Sequence, residues 1–323
     1  MNSMAQRRIA VVGAGNTGAS FAYTLLLSGV HGQILVVDPE IHEAEEQALE
    51  LQQAAVFFQP HEVRAAAISE LSQASITVFC GVRRRPGDGS DVLLGRNLEL
   101  LREAMLHIKG KNPEAIILLG APSVELLTYA AWRFSELPRT QVIGTGTIAE
   151  TATLRYLLGR HFNLDAHSVH AYVLGGNGDR VPVWSSATIA GMYIQEVCRK
   201  HGCPPAVLQS IFNEVRDRTA NTEAHADAAS LSTGAGLARL AAAILANENH
   251  VFSVATVLDH EFGMNDTVIS VPAVIGAKGI DRILRVELND DEVARLLACG
   301  EKTRSAIATL DLAPRCFASS EVY

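Results

Sequence analysis

Residues 8–38 read RIAVVGAGNTGASFAYTLLLSGVHGQILVVD, and the order of their textures decides the fold. The apolar, partly β-branched run at 8–12 has the texture of a buried parallel strand. Gly13, Gly15 and Gly18 follow in the G-x-G-x-x-G spacing, and SFAYTLLLSG after them predicts a helix closed by Gly29. A second apolar run ends on Asp38, twenty residues beyond Gly18. The spacing suits a dinucleotide. Gly13 permits a tight turn, Gly15 lets the backbone approach a pyrophosphate, and Gly18 lets helix and strand pack closely. The helix start, with Asn16 and Thr17, presents free N–H groups to the phosphates. Asp38 can accept from a ribose 2′-hydroxyl and would repel a 2′-phosphate. No arginine follows it closely, so the expected cofactor is NAD.

Outward from this unit, further apolar runs recur as ITVFCG (76–81), AIILLGA (115–121) and QVIGTG (141–146), separated by helical stretches such as NLELLREAMLHI and SVELLTYAAWRF. Gly81, which closes the first of these runs, joins the expected cofactor set. The alternation predicts an α/β protein with a Rossmann-type doubly wound parallel sheet. After about residue 147 long helical patterns mix with β-rich runs such as VHAYVLGG and DTVISVPAVIG. We therefore expect an NAD-binding domain over 1–147 and a mixed α+β substrate domain over 148–323.

Composition narrows the function classes. The 323 residues are 48% hydrophobic and 19% charged, a globular balance, and the net charge of -8 argues against nucleic-acid binding and a polybasic membrane anchor. Five cysteines (Cys80, Cys198, Cys203, Cys299 and Cys316) form an odd, sparse set, which suggests a reducing compartment. Cys198 and Cys203 have no matching Cys or His pair, so no metal site is expected. The opening MNSMAQRRIAVVG lacks the long apolar stretch of a signal peptide, and no run is long enough to span a membrane. The expectation is a cytoplasmic protein.

The chain resembles the NAD-dependent L-lactate/L-malate dehydrogenase family over nearly its whole length. The resemblance is carried by VVGAGNTG, ILVVD, RRRPGDGSDVLLGRN, VELLTYAAWRFS, VIGTGTIAETATLRYLL, VHAYVLGGNGDRVPVWS and FGMNDTVISVPAVIG. It implies a Rossmann domain, a mixed substrate domain, a mobile loop near residues 82–95, and a homodimer or homotetramer.

The resemblance also shows what this chain lacks. Where the family reads G-E-H-G-D, residues 175–179 read GGNGD, so Asn177 stands in the place of a histidine that donates a proton to the substrate oxygen. The family's partner aspartate corresponds to Glu150. The arginine that clamps the substrate carboxylate becomes Thr153, and the loop arginine that polarises the carbonyl becomes Ser90. The N-P-V-D turn reads PSVE, with Pro122 in the asparagine's place, and a pocket threonine aligns with Ala229. The loop's specificity position falls on Arg84, between Arg83 and Arg85. It would contact an anionic substrate end or a cofactor phosphate, or else belong to a solvated basic loop.

Asparagine has no proton to exchange near neutral pH. The expectation is therefore an oxidoreductase with altered, non-2-oxo-acid chemistry. With both arginines gone and Glu150 remaining, a buried carboxylate would favour a cation, and a protonated imine is a cation that accepts hydride without a further proton. Imine reduction, or amine oxidation in reverse, fits that pocket. A ketone or alcohol with an acid supplied from elsewhere is the other chemistry. His225, four residues before Ala229 on a helix, would be that acid or else a surface histidine. His170 reads as structural, and Glu223 and Asp227 as solvated charges. The alternative function is an inactive NAD-binding pseudoenzyme that regulates or stabilises a partner.

Overall fold

The computed structural model describes residues 7–30, 32–58, 62–85, 87–204, 206–224 and 231–312, with residues 221–224 described by backbone only. His225, Asp227 and Ala229 lie outside the described residues, and so does the side chain of Glu223.

The first half alternates strand and helix. It runs β1 (Arg8–Val12), α1 (Asn16–Leu27), β2 (Gln33–Val37), α2 (Ile41–Ala55), β3 (Glu62–Ala65), β4 (Ile76–Phe79), α3 (Ser90–Ile108), β5 (Ile116–Leu119), α4 (Val124–Ser135), β6 (Val142–Gly144) and α5 (Ile148–Phe162). The second half holds β7 (Val169–His170), β8 (Val173–Gly176), β9 (Asp179–Pro182), β10 (Thr188–Ile189), β11 (Met192–Tyr193), α6 (Ile194–Lys200), α7 (Ala206–Ala224) and α8 (Leu231–Ala246). It ends with β12 (His250–Asp259), β13 (Asn265–Gly276), β14 (Gly279–Ile283) and α9 (Asp290–Ile307).

Strands β3-β2-β1-β4-β5-β6 lie in that order, all parallel, which is the doubly wound arrangement that the alternating pattern predicts. Both faces of these strands are covered, so β1 and β5 are apolar along their whole buried length and β4 carries one polar residue, Thr77. The second half does not build a wholly separate sheet. β12 pairs antiparallel with β6 through Ala255 and Gly144, and β13, β8 and β9 continue the same eleven-stranded sheet. The close approach of β6 needs Gly144, where a Cβ would lie 2.4 Å from Thr128 Oγ1. Helix α8 likewise returns to the first half. A Cβ at Gly234 would lie 2.5 Å from Ser20 Oγ of α1, and Leu237, Leu240 and Ile244 join Phe21 and Leu25 in one core. A three-stranded sheet, β11-β10-β7, stands apart. Among the described residues no helix is long and apolar enough to cross a membrane, and no metal-binding group of His, Cys, Asp and Glu occurs.

Candidate functional site

The turn after β1 is shaped by backbone contact. Gly13 has φ +105, and a Cβ there would lie 2.1 Å from the Gly81 carbonyl oxygen. A Cβ at Gly18 would lie 2.1 Å from the Gly13 oxygen. Gly15 has nothing within 4 Å where its Cβ would stand. The first turn of α1 has neither a side-chain cap nor an acidic residue, so its N–H groups face that open space. Asp38 accepts from the N–H groups of Ala14 (2.8 Å) and Glu40 (3.0 Å). An ionised carboxylate has lone pairs left for a ribose hydroxyl. The residues present thus fit a dinucleotide. Gly81 has a supporting place: its carbonyl lies under Gly13, and buried Asn97 accepts from the adjacent Val82 N–H at 2.8 Å.

Asn177 sits at the tip of the β8–β9 hairpin. Gly176 pairs with Asp179, so Asn177 and Gly178 form a two-residue turn, with φ +49 and +85. Positive φ at both central residues is the type I′ requirement, which Asn-Gly meets with the least strain. Asn177 is half-buried, and its side chain makes no hydrogen bond with the described residues. The hairpin is tied down behind it. Thr147 and Ser253 hydroxyls donate to the Val173 carbonyl, and the Val173 N–H donates to Thr151 Oγ1 at 3.1 Å.

Behind the turn lies a group of charges that sequence reading missed. Glu150 is buried, and Arg180 of β9 donates to it through Nε at 2.8 Å. Arg180 Nη1 is also 3.9 Å from Glu125, which is buried as well. Glu125 and Glu150 occupy the first turns of α4 and α5, where the helix dipole favours negative charge. Those helices follow β5 and β6, so the cluster stands at the carboxyl edge of the parallel strands, where doubly wound folds bind ligands. Burial pushes the Glu125 carboxyl above the ordinary carboxylate value. Arg180 and the main-chain N–H groups of Glu125 and Asn177 pull it back, and the charge of Glu150 adds to the rise.

This corrects the expectation that Glu150 faces a pocket emptied of cations. Its counter-ion is already in the chain, thirty residues on in sequence, as the residue after GGNGD. The available signal was a lone basic residue at the start of an otherwise apolar strand, DRVPV. Glu125 was visible only as the last letter of PSVE.

The remaining expected residues do not join this group. Thr153 donates to the Ala149 carbonyl of its own helix at 2.9 Å. Ser90 begins α3, so the irregular loop ends at residue 89 rather than extending to 95. Arg84 is exposed on that loop, and its guanidinium turns onto the Asp88 carbonyl at 3.1 Å. Asp88 also pairs with Arg96 at 2.6 Å, while Arg83 pairs with Glu43 at 2.7 Å. His170 is exposed on β7 rather than packed in a core.

Comparison with known proteins agrees with this architecture. Residues 7–144 match the family described as lactate/malate dehydrogenase, NAD binding domain, and residues 149–311 match lactate/malate dehydrogenase, alpha/beta C-terminal domain. The L-lactate dehydrogenase of Acetivibrio thermocellus is 32% identical over 315 residues, covering 96% of this chain and 99% of that protein. The L-lactate dehydrogenase of Geobacillus stearothermophilus is 34% identical over 305 residues, covering 93% and 96%. The crystal structure of a minor L-lactate dehydrogenase from Enterococcus mundtii, in a ligand-bound form, superposes with a TM-score of 0.88 at 26% identity, covering 95% of this chain and 99% of that one.

Proposed function

The chain belongs to the lactate/malate dehydrogenase family of oxidoreductases, and from that premise we propose that it uses NAD(H) on an imine, or on the amine formed from it, and is not a competent L-lactate or L-malate dehydrogenase. The observation that carries this reading is the cluster behind Asn177, where one guanidinium serves two buried carboxylates. With Glu125 protonated the cluster sums to zero; with Glu125 ionised it sums to minus one. In neither state is there surplus positive charge for the carboxylate of a 2-oxo acid, and Arg84 is bound to its own loop. An uncharged or cationic C=N group meets no such penalty. An imine nitrogen is far more basic than a ketone oxygen, so its reduction needs a weaker acid than the histidine whose place Asn177 takes. Asp38 favours NAD over NADP. Assembly into a homodimer or homotetramer is part of the same proposal. It would cover Val56 and Phe57, which are 82% and 83% exposed, and sedimentation velocity tests it.

The test is a screen of cyclic and linear imines with NADH, and of amines with NAD, followed by absorbance. We expect turnover with at least one imine. Pyruvate or oxaloacetate as the best substrate defeats the proposal. A second reading, a non-catalytic NAD(H)-binding protein, draws on the internal bonding of Glu150, Thr153 and Arg84. It takes the lead if NADH binds and no compound is reduced.

A further inference from the structure

We propose that Glu125 is the proton donor of this site, standing in for the acid that Asn177 cannot be, and that it protonates the nitrogen of a bound imine; the choice of imine rests on the proposed function above.

The geometry makes Glu125 the group that holds a proton. It is 4% exposed, and its Oε1 has no hydrogen-bond partner among the described residues. An ionised carboxylate with an orphaned buried oxygen is costly, and the neutral acid is much less so. Sharing of the one nearby cation is unequal: Arg180 is 2.8 Å from Glu150 but 3.9 Å from Glu125. The closer ion pair thus falls to Glu150, and burial favours the neutral form of Glu125. Among the described residues the charged groups facing Glu125 are Arg180 from β9 and Glu150 from α5, joined by the main-chain N–H groups of Glu125 and Asn177, and burial outweighs the cation.

The turn is also cut to fit this side chain. A Cβ on Gly176 would lie 2.9 Å from Glu125 Cγ and 3.1 Å from its Oε1. The family pattern G-E-H-G-D has a glutamate at the position of Gly176, and N-P-V-D has the shorter aspartate at the position of Glu125. In this chain the turn has lost a carboxyl group and the helix acid has grown by one methylene. The longer acid reaches under the residue that replaced the histidine.

The step balances as follows. The O–H bond of Glu125 breaks and an N–H bond forms on the imine nitrogen, leaving a carboxylate and an iminium ion. The iminium carbon takes hydride from NADH, the C=N π pair becomes the nitrogen lone pair, and the products are the amine and NAD. Arg180 Nη1 is placed to hold the new carboxylate. Arg180 and Gly178 also line a cavity of about 340 Å³ on the other side of the hairpin strand.

Infrared spectroscopy of the full-length protein loaded with NAD tests this without turnover. Near neutral pH we expect a carboxylic-acid C=O band, absent in Glu125→Gln and shifted in Glu125→Asp, the second variant guarding against loss of fold in the first. Adding 1-pyrroline, which the oxidised cofactor cannot reduce, should bleach the band. Absence of the band in the wild type, or a band that 1-pyrroline leaves untouched, overturns the proposal. In the turnover arm, Glu125→Gln should lower the rate on an accepted imine by about 10²–10⁴. Bleaching by 1-pyrroline with no reduction of any imine supports the donor and defeats the oxidoreductase reading instead.

Discussion

Two glycine turns of this chain carry an asparagine at their centre, GAGNTG at 13–18 and GGNGD at 175–179; both hold a glycine pressed on backbone, Gly13 and Gly175, and they differ in what their other glycines meet. In the first, Gly13 and Gly18 are forced by backbone: a Cβ at either would lie 2.1 Å from a carbonyl oxygen. Beyond them Gly15 and the helix start stay open to a ligand. In the second, Gly176 is forced by the side chain of Glu125, and the charges beneath are matched within the chain. The first turn is a shape waiting for a partner. The second covers charges that pair within the chain. A cofactor half defined by backbone survives changes in side chains, whereas a catalytic half defined by side chains can be rewritten while the fold persists.

The largest expected effect breaks the comparison if it fails. Pyruvate and oxaloacetate should be reduced at least about tenfold more slowly than an accepted imine, because Thr153 and Ser90 supply no guanidinium to clamp the carboxylate. Steady-state absorbance measures this, and turnover of roughly 10 s⁻¹ with either acid would show that the second turn still does the family's chemistry. Asn177→His alone should not restore activity, because Thr153 and Ser90 leave the carboxylate unclamped.

Next in size is Arg180→Met. Removing the cation leaves Glu150 and Glu125 buried against each other, and breaking a buried pair in this way costs about 3–5 kcal/mol. Urea unfolding reads the loss, and Glu150→Gln in the same chain should recover part of it. An unchanged midpoint in Arg180→Met would mean that the cluster does not hold the hairpin.

The two glycines can be set against each other directly. Gly176→Ala should cost about 1–3 kcal/mol through overpacking, and Glu125→Ala should relieve it by removing Cγ, the atom nearest the added methyl. Gly13→Ala should have no side-chain suppressor, since the obstacle is the Gly81 backbone. Equal behaviour of the two in a suppressor test would erase the distinction between them.

A smaller effect concerns the first turn alone. NADH should bind at least about tenfold more tightly than NADPH, a difference of roughly 1.4 kcal/mol, because Asp38 would face the 2′-phosphate. Fluorescence titration gives both constants, and equal values would remove Asp38 from the ribose.

The smallest effect is on the pH dependence of stability. The folded-state value of Glu125 lies above the ordinary 4.5. Its contribution to stability is therefore full below that ordinary value and declines as pH rises towards and through the folded one. The difference in stability between wild type and Glu125→Gln should shift against the wild type as pH increases from about 4.5. Denaturant midpoints of the two proteins across pH should diverge accordingly; parallel curves would place Glu125 in water.

Much of the fold was legible because it is written in local texture. The runs at 76–81, 115–121 and 141–146 contain β4, β5 and β6, and the spacing from Gly13 to Asp38 foretells a strand, helix and strand in register. β12 is not legible in sequence, since HVFSVATVLD reads equally as strand or buried helix, and its pairing with β13 and with the edge of β6 makes it a strand. The acid position at Glu150 was also legible from the motif around it. Its partner was not, and the guess at His225 falls outside the described residues.

By itself, then, the sequence determined the backbone: where strands end, which turns admit a positive φ, and that an asparagine stands at the tip of the GGNGD turn. Those are properties of a few adjacent residues. The tertiary structure alone decided the charge of the site. Arg180 meets Glu150 and Glu125 because the sheet order brings the β8–β9 hairpin over the first turns of α4 and α5. Whether a carboxylate stays ionised depends on which groups surround it in space and on the loss of water there, and no spacing along the chain encodes either.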